Sequence, residues 1–294
     1  MNKLRCANYR DEKRLDILNS RSTKMAKVIG LASDMSNIKA AYRLYKTNRG
    51  NPEKIIAGLS KISISKEMGE LLSYYYDHPM LPIKFIDKLR DEHSFRCCPM
   101  CGSFSCGTID HYLPQAPHNI FAIFSLNLVP TCLCNSKRSN RLTGKNVNER
   151  FLHPYFDNCL QQRLIKVDFH HLDSSPTVSS RVILPASHPD FTAVNYHFEK
   201  LVQKKLENYV QKRFIDFCRR PAVYITPLRE NPKSIGHLRD IFEWELQAKD
   251  EEYASKNNWN SLFVDALLDE RVFAWLASKL FTRGRLPGMP LIPL

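Results

Sequence analysis

The stretch CCPMCGSFSCGTIDHYLP, residues 97–114, decides how the rest of this chain is read. Cys97, Cys98, Cys101 and Cys106 crowd its first half, and an Asp-His pair, Asp110 and His111, follows at once. Two readings compete. The thiols form a structural zinc knuckle and nothing more, or the knuckle staples an active site in place.

Working outward, the chain carries nine cysteines, and six of them lie between residues 97 and 134. The remaining three are Cys6, Cys159 and Cys218. The N-terminal MNKLRCANYRDEKRLD has no apolar core of a secretory signal, and the most apolar run, IFAIFSLNLVP, is too short to span a bilayer. A cytoplasmic location is the expectation. In a reducing compartment, clustered thiols are better read as metal ligands than as disulfides.

Cys98-Pro-Met-Cys101 is a C-x2-C knuckle, and Cys132 and Cys134 form a second pair. Two pairs make a closed four-thiolate zinc site. The second pair is C-x-C, a tighter chelate, so Cys97 or Cys106 remains an alternative ligand. The bland reading is a set of buried free thiols acting as small hydrophobes. Between the pairs, GTIDHYLP and LNLVP read as two strands around a loop, and CNSKRSNR reads as the start of a helix. Asp110 and His111 are neighbours on an extended strand and would point to opposite faces, so a bulge is expected to converge them.

The remainder fits an α+β chain that is mostly helical. Residues 1–90 read as a helical region, with KEMGELLSYYYDH (66–78) as its clearest helix, KTNRGNPEK (46–54) as a loop and IKFIDKLRDEH leading into the cysteines. Residues 91–160 form the cysteine-rich domain. Residues 161–294 start with a β-hairpin, LIKVDFHHL (164–172) and PTVSSRVIL (176–184), and continue with helices near 197–219, 235–253 and 260–281. The Pro-rich tail RGRLPGMPLIPL is not helical.

There are 43 Lys and Arg against 30 Asp and Glu, a net charge of +13, which favours a polyanionic partner, nucleic acid before membrane. A basic surface that binds nothing is the alternative.

The elements CPMCG, IDHYLP and NLVPTCLCNSKRS, in that order, resemble the HNH endonucleases of the ββα-metal superfamily. The resemblance covers about residues 97–140, or to 157 with FLHPYFD. The variant with DHYLP and HPYFD looks like HNH proteins of bacterial anti-phage systems, such as the nuclease partner of the Septu ATPase. The resemblance implies a metal-dependent endonuclease acting on DNA, with RNA possible, and an ATPase partner that controls it. It implies that His111 is the general base, that Asp110 and Asn135 hold a catalytic Mg2+ or Mn2+, and that Asn127 ties the loop and orients His111. Lys137 and Arg138 would meet a phosphate on the first helical turn. Cys98, Cys101, Cys132 and Cys134 would hold the structural Zn2+.

The chemistry suits those residue types. An imidazole titrates near neutral pH and oxygen donors suit a hard cation. Each residue also has a bland reading. His111 can be a core histidine, Asp110 a turn cap, Asn127 a turn residue and Asn135 a helix N-cap. His153 in FLHPYFD reads as packing more than as a ligand, His118 as a loop residue, and His170 and His171 as structural. The competing function is a non-catalytic zinc module binding nucleic acid or protein.

Overall fold

In a computed structural model, residues 1–6, 9–22, 31–91, 96–104 and 106–292 are described, with the side chains of residues 21, 22, 31–33, 91 and 135 outside that description. The described chain divides into two units. One comprises Lys3–Met100 and Ser105–Asn158, the other Met1–Asn2, Cys101–Phe104 and Cys159–Leu294. The helices before residue 91 share a unit with the strands at 108–131.

The first unit opens with helices α1 (Asp11–Ser22), α2 (Leu31–Thr47), α3 (Pro52–Leu59), α4 (Lys66–Asp77) and α5 (Phe85–Asp91). The sequence sets these boundaries. Asn51 caps α3 by accepting from the Lys54 N–H, with Pro52 placed at its first turn. Ser65 caps α4 and donates its hydroxyl hydrogen to Asp34 at 2.6 Å. The loop read over 46–54 is shorter than expected, because α2 runs to Thr47 and α3 starts at Pro52. Its turn needs positive φ at Arg49 and Gly50. Helix α5 is described to Asp91, and the expected continuation to His93 lies outside the described residues.

Ile38, Ala41, Tyr42 and Tyr45 recur at helical spacing on α2, and all are fully buried. Tyr42 stacks on Phe124 at 4.1 Å and Tyr45 meets Phe121 edge-on at 5.1 Å. Each such ring contributes about 1.5–3 kcal/mol by leaving water. This aromatic cluster roots the loop between two antiparallel strands, β1 (Thr108–His111) and β2 (Leu128–Thr131). The register is unbroken, with Asp110 opposite Val129 and His111 opposite Leu128. The bulge expected at Asp110-His111 is absent, so the strand itself does nothing to converge the two side chains, which leave a regular strand toward opposite faces. Helix α6 (Cys134–Arg138) follows β2 and stops where Ser139 takes φ 52°.

The second unit begins with the hairpin β3 (Ile165–His170) and β4 (Thr177–Val182). Ile165, Val167 and Phe169 alternate inward, as period-two patterning requires. Helix α7 (Phe191–His197) passes through a π-helical turn, Phe198–Val202, into α8 (Gln203–Arg219). Leu206, Val210, Phe214 and Phe217 form the buried stripe of α8, and Phe214 lies 4.2 Å from Phe169 on the hairpin. Then come α9 (Pro221–Tyr224), α10 (Ile235–Glu252), α11 (Trp259–Leu267) and α12 (Glu270–Leu280). The single helix read over 260–281 is two, because Asp269 caps α12 by accepting from the Arg271 N–H at 3.3 Å. His170 bonds Ser179 Oγ at 2.8 Å and His171 takes φ 54°, so both serve the hairpin. Among the described residues no helix is long and apolar enough to cross a membrane.

Candidate metal and catalytic site

The four cysteines paired in the sequence come together. The Sγ atoms of Cys98, Cys101, Cys132 and Cys134 all lie within 4.8 Å of one another. Cys98 and Cys134 are 3.7 Å apart. A tetrahedron with metal–sulfur bonds of ~2.3 Å has edges of about 3.8 Å, so this spacing fits zinc. Backbone N–H groups support the thiolates: Cys132 N–H donates to Cys98 Sγ at 3.4 Å, and Cys134 N–H to Cys132 Sγ at 3.3 Å. Cys97 and Cys106 face other partners, the carbonyls of Cys98 and Cys97 at 3.7 and 3.9 Å, and are not in the cluster. The C-x-C pair therefore supplies both remaining thiolates, and the donor set can hold a structural zinc.

His111 closes β1 and is 8% exposed. Its Nε2 lies 2.9 Å from the carbonyl oxygen of Ala122, which can only accept. The neutral ring therefore carries its hydrogen on Nε2 and a lone pair on Nδ1. Burial pushes its pKa down to about 4, against the opposing effect of the Ala122 bond, so the ring is neutral at physiological pH. Nδ1 makes no hydrogen bond among the described residues.

Asn127 explains why Ala122 stands where it does. It is fully buried. Its Oδ1 accepts from the Leu113 N–H at 2.7 Å, and its Nδ2 donates to the Leu113 and Phe121 carbonyls at 3.1 and 3.4 Å. One amide thus ties the start of the loop to its middle, next to Ala122. Behind it, Tyr155 N–H donates to His153 Nδ1 at 3.2 Å, which leaves the hydrogen of neutral His153 on Nε2. Nε2–H donates to Tyr45 Oη at 2.9 Å, and Tyr45 donates onward to Asn127 Oδ1 at 3.2 Å. His153 is fully buried among the rings of Tyr112, Tyr155 and Phe156, and burial depresses its pKa to about 3. It is a packed support, as its bland reading held. Tyr45 has no motif of its own in the sequence. It reads as one more apolar-stripe residue of α2.

Asp110 is held by Arg138, whose Nη2 and Nε donate to Oδ2 at 2.6 and 3.2 Å. Burial raises the carboxyl's pKa while Arg138 opposes it. Both bonds fall on Oδ2, and the backbone N–H of His111 also hydrogen-bonds the carboxylate. The same guanidinium donates at 2.8 Å to the carbonyls of both His111 and Tyr112. Arg138 is only 2% exposed, which corrects its expected place at a phosphate: its donors are turned inward to brace β1. Lys137 beside it is exposed. The side chain of Asn135 lies outside the described residues, so its expected role as a cation ligand and helix cap has no geometry here. The described oxygen donor of the expected Mg2+ or Mn2+ site is Asp110 alone.

A search of curated proteins finds similarity to protein ea31 of Escherichia phage lambda, 26% identical over 170 residues, covering 47% of this chain and 57% of that protein. The chain thus spans somewhat over half of that relative's length. No family model matches the chain. No solved structure matches it.

Proposed function

We propose that the chain is a metal-dependent HNH endonuclease that hydrolyses phosphodiester bonds in DNA. One observation carries the reading: the His111 ring is oriented through Nε2 to Ala122, with Nδ1 left as a base and a buried amide clamp fixing the loop that orients it.

In this reading Nδ1 of His111 takes the proton from the attacking water. Its pKa of about 4 keeps it deprotonated, and the negative charge of a bound phosphodiester raises its basicity at the moment of use. Asn127, Tyr45 and His153 hold the loop so that the ring does not reorganise. Asp110 and Asn135 would hold a catalytic Mg2+ or Mn2+, a Lewis acid for the charge that develops on the phosphate and leaving oxygen. Zn2+ on the four thiolates would staple the small strand–strand–helix segment. The net charge of +13 suits a nucleic-acid substrate. From the resemblance, the proposed setting is a bacterial anti-phage system with a controlling ATPase partner. An ATPase recovered with natively expressed protein is the expected result there.

The test is nicking of supercoiled plasmid with Mg2+ or Mn2+. The wild-type chain cleaves, and His111→Ala, with unchanged zinc content and melting temperature, loses at least about 100-fold, the usual contribution of a positioned base. Undiminished cleavage by His111→Ala removes the proposal.

The Arg138–Asp110 pair favours a second reading, since it gives Asp110 a structural partner without any cation. The chain would then be a non-catalytic zinc module. Zinc-loaded protein that binds DNA and never cleaves it, with either cation, establishes that reading.

A further inference from the structure

Two residues from the helices ahead of the cysteine segment reach the His111 ring. Tyr76, in the last turn of α4, meets the imidazole edge-on with centroids 4.4 Å apart. Arg90, on α5, sets its guanidinium carbon 4.6 Å from the centre of the Tyr76 ring, a cation–π contact. Arg90 Nη2 also donates to the Tyr76 carbonyl at 2.6 Å, and its Nη1 pairs with Asp87 at 3.3 Å. A third bond runs to the Tyr76 side chain, so these contacts use three of five guanidinium N–H groups. The side chain is 33% exposed, so part of the guanidinium borders solvent. Arg90 and Tyr76 are also electrically part of the site. Burial is the main reason His111 resists protonation and Tyr76 resists ionisation; the charge of Arg90 adds to the first effect and opposes the second, to which Asp110 adds. Arg138, by contrast, is turned wholly inward. The described site therefore has one partly exposed guanidinium beside the base, and it comes from α5.

We propose that Arg90 is a phosphate-binding residue of this site, with Tyr76 as the positioning residue that holds its planar fork beside His111. The proposal rests on the endonuclease reading and deepens it: the N-terminal helices supply a wall of the substrate site. A phosphodiester oxygen is the natural acceptor for a fixed guanidinium with spare donors. The purely structural alternative is that Arg90 only pins α5 to α4.

The experiment uses the full chain and Arg90→Gln, whose amide can still donate to the Tyr76 carbonyl but carries no charge. Plasmid nicking with Mn2+ gives the rate. Binding of a 20-base-pair duplex is measured against salt without added Mg2+ or Mn2+, so that the duplex stays intact. Arg90→Gln is expected to lower the nicking rate about 10- to 100-fold, the effect of one lost charge-assisted hydrogen bond. It is expected to reduce the slope of log affinity against log salt by about 0.9, one phosphate contact, at an unchanged melting temperature. Wild-type rate and slope overturn the proposal. If Arg90→Gln does not fold, Arg90→Lys replaces it. The lysine keeps the charge but not the fork, so nicking falls while the salt slope holds, and an undiminished rate again overturns the proposal. Should His111→Ala cleave like wild type, the endonuclease reading fails instead, and the salt slope still reads Arg90 as a phosphate contact.

Discussion

Tyr45 Oη stands 2.9 Å from His153 Nε2 and joins a histidine of the FLHPYFD segment to the buried amide of Asn127, so the relay reaches the loop that orients His111. Tyr45→Phe keeps the ring stacking but deletes the relay. His153 Nε2–H keeps only the Leu126 carbonyl as acceptor, and Asn127 loses one of its donors. We expect a stability loss of about 1–3 kcal/mol by urea unfolding. The nicking rate falls as well, although position 45 touches no substrate. A variant as stable as wild type shows that water or a rearranged ring replaces the relay.

The depressed pKa of His153 makes stability depend on pH with a definite sign. The unfolded imidazole binds a proton near pH 6.5 and the folded one only near 3. Between those values the unfolded state holds more protons, so stability rises with pH. The contribution is complete above about 6.5 and is lost as pH falls toward 3, at up to about 1.4 kcal/mol per pH unit. His111, held down to about 4, acts in the same direction. Denaturant midpoints from pH 4 to 8 measure the slope. His153→Gln is less stable at pH 8 and shows a shallower fall toward pH 4. An equal slope in both proteins places the titration elsewhere.

The thiolate cluster predicts one zinc per chain. Cys98→Ser, Cys101→Ser, Cys132→Ser and Cys134→Ser each weaken binding, while Cys97→Ser and Cys106→Ser keep the full complement, because their sulfurs bond carbonyls outside the cluster. Elemental analysis after dialysis against a chelator distinguishes the two sets. Zinc retained by Cys132→Ser and lost from Cys106→Ser would reverse the ligand assignment. Removing the metal lowers the melting temperature, since a preformed thiolate site binds zinc only in the folded state.

The zinc ligands and the strand, strand, helix order were legible because they depend on residue type and short spacing. Cysteine pairs and alternating apolar residues announce themselves locally. Asn127 reads from its own residues only as a turn residue; its part as a loop tie comes from the resemblance alone. Tyr45, Tyr76 and Arg90 were not legible. They reach the site from helices α2, α4 and α5, between about 20 and 65 residues upstream of His111, and their roles depend on tertiary packing. The missing bulge has the same origin. Sequence spacing poses the problem of converging Asp110 with His111, and the unbroken β1–β2 pairing leaves it unsolved at the level of the strand.

Arg138 and Lys137 are neighbours on α6 with opposite exposures, and that difference gives a sharp prediction. Arg138 is 2% exposed and holds Asp110 together with the carbonyls of His111 and Tyr112. Arg138→Ala leaves a buried carboxylate and two carbonyls without their donor. Breaking a buried pair on one side costs about 3–5 kcal/mol. Arg138→Lys restores the charge but not the fork, which spans three acceptors, so it recovers only part of that loss. Lys137 is exposed, and Lys137→Ala is thermally neutral. If the helix faces DNA, Lys137→Ala lowers duplex affinity and reduces the salt slope by about 0.9, while Arg138→Lys changes stability and leaves the slope alone. Thermal melts and salt titrations of duplex binding separate the two. An Arg138→Lys protein with wild-type stability and a reduced slope would return Arg138 to the phosphate role first read from the sequence.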